Sequence, residues 1–309
     1  MVDGVNRMAS QTGKNSDLAQ LMQNYVDKYA LHQLEGYVDT AIPGVGFYRS
    51  SQGNPRQPFI YQSGIVILGQ GQKRIHLGEN AVDYGPNDYL VVGVPMPLEC
   101  EAVAKQNQPL LGLTIDIEHS LLLKQVTALE QNGFKPPVDA NNPCGLKSVQ
   151  MNPPMLNSCK RLMNALIDGL EAELLGQSLL EEMAFRALTS TEGHVLFELA
   201  HHEGHYARIA KALSKVHRDY ATSLTVNALA EEANMSISAF HQAFRGVTME
   251  SPLQYLKKVR LNKAKELIQI EGKRVNDAAR LVGYSSPSQF SREYKRHFNQ
   301  TPRGALLKV

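Results

Sequence analysis

VNALAEEANMSISAFHQAFR, residues 226–245, and VNDAARLVGYSSPSQFSREYK, residues 275–295, decide how the rest of this chain is read. Laid over one another they form an internal repeat, with one extra residue after the turn of the second copy. Each begins with a short helix carrying a small residue, Ala230 or Ala279, against which a following helix can pack closely. A residue tolerant of positive φ comes next, Asn234 or Gly283. An apolar residue then plugs the core, Met235 or Tyr284, and a serine, Ser236 or Ser285, is placed to cap the second helix. That helix buries Phe240 and Phe244 in one copy and Phe290, Tyr294 and Phe298 in the other, at i,i+4 spacing. Two helix-turn-helix units follow from this pattern.

The face opposite those aromatic residues must point outward. In the first unit it presents Ser238, His241, Gln242 and Arg245, with Ser236 and Ala239 at the start of the helix. In the second it presents Ser286, Ser288, Gln289, Ser291, Arg292 and Lys295. These groups suit a DNA major groove: Gln pairs two-pronged with adenine, Arg with guanine, and Ser or Lys with phosphate. A polar surface helix with no partner is the bland alternative, and the duplication argues against it. Between the units, Ser251-Pro252 opens a helix running to about Ile270. At about 1.5 Å per residue it spans roughly 28 Å. This approaches the roughly 34 Å of one DNA turn, so the two recognition helices are expected in successive major grooves.

Charge agrees with this reading. Residues 206–309 hold 18 Lys or Arg against 8 Asp or Glu, a net of +10, whereas residues 1–205 hold 14 against 22, a net of −8. The whole-chain value of +2 hides that division. A block this basic neutralises phosphates and releases counterions.

Here the C-terminal third resembles the AraC family of bacterial regulators, in FRGVTMESPLQYLKKVRLNKAKELI (residues 244–268) and VGYSSPSQFSREYKRHFNQTPRGAL (residues 282–306). Two positions depart from the family pattern. Met249 and Asn299 stand where Gly is usual. Asn tolerates left-handed backbone, whereas Met249 implies either a turn built with negative φ or strain.

Working back along the chain, 309 residues suit two domains rather than one core. From Val45 to Ile117, short β-rich runs (FIYQSGIVILGQ, KRIHL, DYLVVGV, LECEAVA, LLGLTIDI) alternate with turn residues at Gly78-Glu79-Asn80 and Gly85-Pro86-Asn87. We expect a jelly-roll-like β-barrel. The segment from Thr40 to Pro97 also looks like the cupin-type sensing domain of one AraC subfamily, which implies a small-molecule or signal-sensing role. An amphipathic helix is expected over Asp17–Leu34, and a further one over Met155–Leu175 with Leu162, Met163, Leu166, Ile167, Leu170 and Leu174 in one stripe. That stripe either packs on the barrel or pairs with its copy in a homodimer. The expected organisation is therefore a multidomain chain: residues 1–150 for sensing, 151–205 as a helical dimerisation region, and 206–309, all-α, for DNA binding.

Within the barrel, strand alternation turns Ile75, Leu77 and Cys100 inward, and Tyr48 and Tyr89 are the expected polar contacts of a mainly apolar pocket. Cys100 reads either as an inert buried thiol or as an electrophile sensor. A metal cupin needs several convergent ligands, and this segment offers His76 alone, so neither a metal nor any other cofactor is expected. HHEGH, residues 201–205, reads as a polar connector, with a metal site on His201 and His205 the sharper alternative. Enzymatic rivals, a barrel oxygenase or a DNA-repair methyltransferase, need a His set or a metal-bound cysteine cluster that the chain lacks. An architectural DNA-binding protein without ligand stays open.

An apolar content of 43% without any run long enough to span a bilayer speaks against a membrane protein. The polar N-terminus argues against export, and Cys100, Cys144 and Cys159 in unrelated contexts fit a reducing cytoplasm. The expected partners are double-stranded promoter DNA, a small-molecule effector, a second copy of the chain and, for an activator, RNA polymerase.

Overall fold

A computed structural model describes residues 16–77, 80–104, 108–136, 145–200, 205–269 and 271–305. Helix α1 (Ser16–Lys28) opens it, and a short 3-10 turn at Leu31–Gln33 replaces the last turn expected of that helix. Ala30 breaks the helix by adopting left-handed backbone at φ 54°.

Ten strands follow among the described residues: β1 (Gly36–Asp39), β2 (Val45–Ser50), β3 (Gly53–Tyr61), β4 (Gly64–Gln70), β5 (Gln72–Leu77), β6 (Asn80–Tyr84), β7 (Asp88–Val92), β8 (Met96–Val103), β9 (Leu110–Ile115) and, after helix α2 (His119–Gln131), β10 (Leu146–Gln150). They pair antiparallel in two sheets, ordered β1-β2-β9-β4-β7-β10 and β3-β8-β5-β6. The sheets do not join. The expected jelly-roll-like architecture is present, built as two packed sheets whose edge strands β1, β10, β3 and β6 remain unjoined.

Periodicity explains each layer. β7 is buried at Tyr89, Leu90, Val91 and Val92 alike because both its faces are covered, one by the second sheet and the other by helices. β5 is covered on one face only: Lys73 and Ile75 are buried while Arg74 is exposed and His76 half-buried. The turn at Gly85-Pro86-Asn87 closes with the Asp88 amide donating to the Gly85 carbonyl at 3.0 Å.

Helices α3 (Pro153–Ile167) and α4 (Gly169–Leu188) pack with α1 outside the larger sheet, where the rings of Tyr25 and Phe47 lie 4.8 Å apart. The single stripe expected over Met155–Leu175 is two helices. Asp168 ends α3 with extended backbone (ψ 108°) and caps α4 by accepting from the amides of Leu170 and Glu171. The bend separates the stripe: Leu162, Met163 and Leu166 are fully buried, whereas Leu170, Leu174 and Leu175 are exposed on α4.

After α5 (His194–Ala200) and α6 (His205–Asp219) come α7 (Val226–Glu232), α8 (Ile237–Thr248), α9 (Pro252–Gln269), α10 (Val275–Leu281), α11 (Pro287–Phe298) and the short α12 (Pro302–Ala305). The helices up to the first half of α9 share one hydrophobic core with the sandwich, while Leu261, Ala264, Ile268, Phe290 and Tyr294 form a second core around α11. Tyr206 on α6 fits against Gly93, where a Cβ would lie 2.2 Å from its hydroxyl; only glycine admits that approach.

Candidate nucleic-acid interface and ligand cavity

Both helix-turn-helix units form as their sequences dictate. Ala230 and Ala279 are buried where the helices of each unit cross, and Asn234 (φ 49°) and Gly283 (φ 86°) make the turns. Gly283 is doubly required, since a Cβ there would lie 2.5 Å from the Ala221 carbonyl oxygen. Phe240, Phe244, Phe290 and Tyr294 are fully buried. Ser236 caps α8 by accepting from the Ala239 amide at 3.3 Å. In the second unit the cap is Ser286, accepting from Gln289 N at 3.3 Å, and not Ser285: the extra residue moves the helix start by one, and Pro287 occupies its first turn. Ser251 caps α9 through the Gln254 amide at 3.4 Å.

Met249 ends α8 in left-handed backbone at φ 62°, and Asn299 ends α11 likewise at φ 54°. Of the two expected forms of the Met249 turn, the strained one is present.

The outward faces carry the groups named from sequence. Ser236, Ser238, Ala239, His241, Gln242 and Arg245 are exposed on α8; Ser288, Gln289, Arg292 and Lys295 are exposed on α11, with Ser286 and Ser291 half-buried. Gln289 reaches back to Glu293 at 3.2 Å and Ser286 lies 3.2 Å from Ser288.

Several cations of the helical half are paired: Lys215 with Glu232 at 2.9 Å, Lys257 with Glu293 at 3.3 Å, Lys263 with Glu266 at 2.8 Å, and Lys258 with Glu250. Among the described residues Arg245, Arg292 and Lys295 have no such partner, so their charge is available to an external anion.

Between the two sheets lies a mainly apolar cavity of about 310 Å³, walled by Tyr37, Tyr48, Phe59, Tyr61, Val66, Leu68 and Lys73, with Gln62, Ser63, Thr114 and Asp116 also on its lining. Of the residues assigned to a pocket from sequence, Tyr48 lines it. Ile75 and Cys100 are buried as register partners of β5 and β8 and are not among the residues that line it. Cys100 accepts from the Tyr61 hydroxyl at 3.2 Å, and burial pushes its thiol upward in pKa, away from the reactive thiolate. Tyr89 is buried on the far face of the larger sheet, beside Ser190 and Cys159. Leu77 belongs to β5, but its side chain lies outside the described residues, as does the metal reading of His201 and His205. His76 is half-buried against Glu101 at 3.0 Å. No cluster of metal-binding side chains occurs among the described residues.

Lys73 escaped the sequence reading, although the alternation that turns Ile75 inward turns Lys73 inward too. It is 6% exposed, with its ammonium 4.0 Å from the centre of the Tyr48 ring.

Comparison with known proteins places this architecture. The model of the AraC-type transcriptional regulator N-terminus matches residues 41–195, half of the chain, and a helix-turn-helix domain model matches residues 229–306. This chain belongs to the AraC family of regulators. It is similar to the transcriptional regulator AlkR of Acinetobacter baylyi, 35% identical over 98 residues, which are 32% of each chain. It is also similar to the activator RhaS of Escherichia coli, 30% identical over 101 residues, 33% of this chain and 36% of that one. The match thus spans about a third of the curated relatives. The structure of ToxT from Vibrio cholerae bound to an unsaturated fatty acid is similar in fold, with a TM-score of 0.53 and 12% identity over 86% of this chain and 95% of that chain. Family members are transcriptional regulators, not enzymes. Among the described residues no helix is long and apolar enough to cross a membrane.

Proposed function

We propose that the chain is a sequence-specific regulator of transcription that binds double-stranded promoter DNA through α8 and α11 and responds to a small, mainly apolar effector held between its sheets. The observation that carries this reading is the pair of outward helix faces, equipped with Gln242, Arg245, Gln289, Arg292 and Lys295, whose cations lack internal partners. Helix α9, at 18 residues and about 1.5 Å per residue, sets the two units roughly one DNA turn apart.

The proposed division of labour follows the sequence: residues 1–150 sense, 151–205 dimerise and 206–309 bind DNA. The exposed Leu170, Leu174 and Leu175 on α4 supply an apolar face for a homodimer. The sandwich cavity supports a ligand-responsive protein over an architectural one, and activation would add RNA polymerase as a partner.

Genome-wide mapping of DNA bound by the full chain tests the proposal. Discrete sites upstream of genes, lost in an Arg245→Ala/Arg292→Ala double variant that still folds, are expected. Uniform occupancy, unchanged in that variant, would remove the sequence-specific assignment.

A further inference from the structure

Among the described residues two lysines are buried, Lys73 and Lys147. Lys147 has Glu192 at 3.6 Å. Lys73 differs: it has no carboxylate beside it among the described residues, and only the Cys100 thiol acts on its charge. Its neighbours on β5 make the contrast sharper. Arg74 and His76, which point outward, are paired with Asp83 at 2.6 Å and Glu101 at 3.0 Å. The outward groups have acidic partners, and among the described residues the inward ammonium has none.

A desolvated, unpaired ammonium is costly in a protein interior. The Tyr48 and Phe59 rings, 4.0 and 5.4 Å from Nζ, offset only part of that. Burial accordingly drives the Lys73 pKa down from its ordinary value. An anion entering the cavity would reverse both effects, restoring the charge and pairing it where the surroundings are too apolar to screen it.

We propose that Lys73 anchors the anionic head of the effector, and that the effector is an amphipathic monocarboxylate whose apolar tail lies against Phe59, Tyr61, Val66 and Leu68. This rests on the reading of the inter-sheet cavity as the effector site. The apolar part of the wall suits such a tail, and the Tyr61 hydroxyl beside it is already engaged, with Cys100 at 3.2 Å and 3.4 Å from that of Tyr84; the polar lining residues Gln62, Ser63, Thr114 and Asp116 complete the cavity. At roughly 30 Å³ per water-sized group, the 310 Å³ cavity holds about ten non-hydrogen atoms, the size of a medium-chain acid.

Calorimetric titration of the full chain with octanoate and with octan-1-ol, which share a tail and differ in charge, tests the assignment. The wild-type chain is expected to bind octanoate about ten- to a hundred-fold more tightly than octan-1-ol, the range of a charged hydrogen bond. Lys73→Met should abolish that preference while leaving octan-1-ol binding within about three-fold, which also shows the cavity intact; Lys73→Arg should keep the preference. Lys73→Gln serves the same purpose if Lys73→Met proves unable to bind octan-1-ol. Equal binding of both probes by the wild-type chain, or an octanoate preference that survives Lys73→Met, overturns the anchor and leaves the cavity standing. Failure of the wild-type chain to bind either probe overturns the cavity as effector site, and the anchor with it.

Discussion

The hydroxyl of Tyr255, on the helix that joins the two DNA-binding units, donates to the carbonyl oxygen of Pro95 in the connection between β7 and β8. The same hydroxyl lies 2.8 Å from Nε2 of His217, and the Tyr255 ring is fully buried against Phe244. A second link runs nearby, from the Gly145 amide to the Val247 carbonyl at 3.1 Å. The sandwich and the first helix-turn-helix unit are thus hydrogen-bonded through buried groups, and a change in the sandwich meets α8 and α9 directly.

Tyr255→Phe tests the strength of that joint. The ring still fits, but the Pro95 carbonyl loses its donor in a buried setting, so a loss of about 1–3 kcal/mol of stability in urea unfolding is expected. Unchanged stability would mean that the joint contributes packing alone.

DNA contact residues are separable by what they read. Gln242→Ala and Arg292→Ala should each weaken binding to a specific site by about 1–3 kcal/mol and leave random duplex nearly unaffected. Lys295→Ala should weaken both alike and shallow the salt dependence. Titrations on matched specific and random duplexes distinguish the two classes, and equal losses for Gln242→Ala on both would assign it to phosphate.

Met249 holds left-handed backbone at φ 62° and is exposed, so its side chain contributes little packing to offset the strain. Met249→Gly removes a cost of about 1–2 kcal/mol against the roughly 0.5–1 kcal/mol that glycine loses in chain entropy. The expected result is a gain of about 0.5–1 kcal/mol in thermal unfolding, and a loss would show that the side chain has a role of its own.

His297, at the end of α11, has its pKa pressed down to about 4, first by burial and then by the nearby Lys258. Its unfolded value is near 6.5, so the unfolded chain takes up the proton first as pH falls. The stability present at neutral pH is therefore lost from about pH 6.5 down toward pH 4. Between pH 7 and pH 5 the loss is about 2 kcal/mol by this group, and His297→Gln should flatten the profile by that amount. An unaltered profile in the variant would place the pH dependence elsewhere, with His217, also depressed by burial, the next group to replace.

How much of this was legible in the residues differs by element. The helix-turn-helix units were, down to Asn234 and Gly283, because short helices with buried aromatics at i,i+4 are fixed by local spacing. The cap at Ser286 was misassigned by one residue, since two adjacent serines offer the same chemistry and only the position of Pro287 within the formed helix separates them. β10 is not legible in the residues because LKSVQ is short, and its place is set by pairing with β7 at the far edge of the sheet. Tyr89, expected as a polar contact of the pocket, lies on the far face of the larger sheet: β7 is covered on both faces, and the sequence does not say which cover is the second sheet.

The sequence by itself determined the repeat, its caps and turns, the outward recognition faces and the charge division, because each depends on residues within one or two helical turns of one another. Tertiary structure alone decided three further things. It kept the two sheets of the jelly-roll-like fold unjoined, since closure depends on which edge strands meet. It bent the α3–α4 stripe at Asp168, burying Leu166 and exposing Leu174. And it placed Lys73 beneath the Tyr48 ring at 4.0 Å, a contact between strands of different sheets that no local pattern encodes.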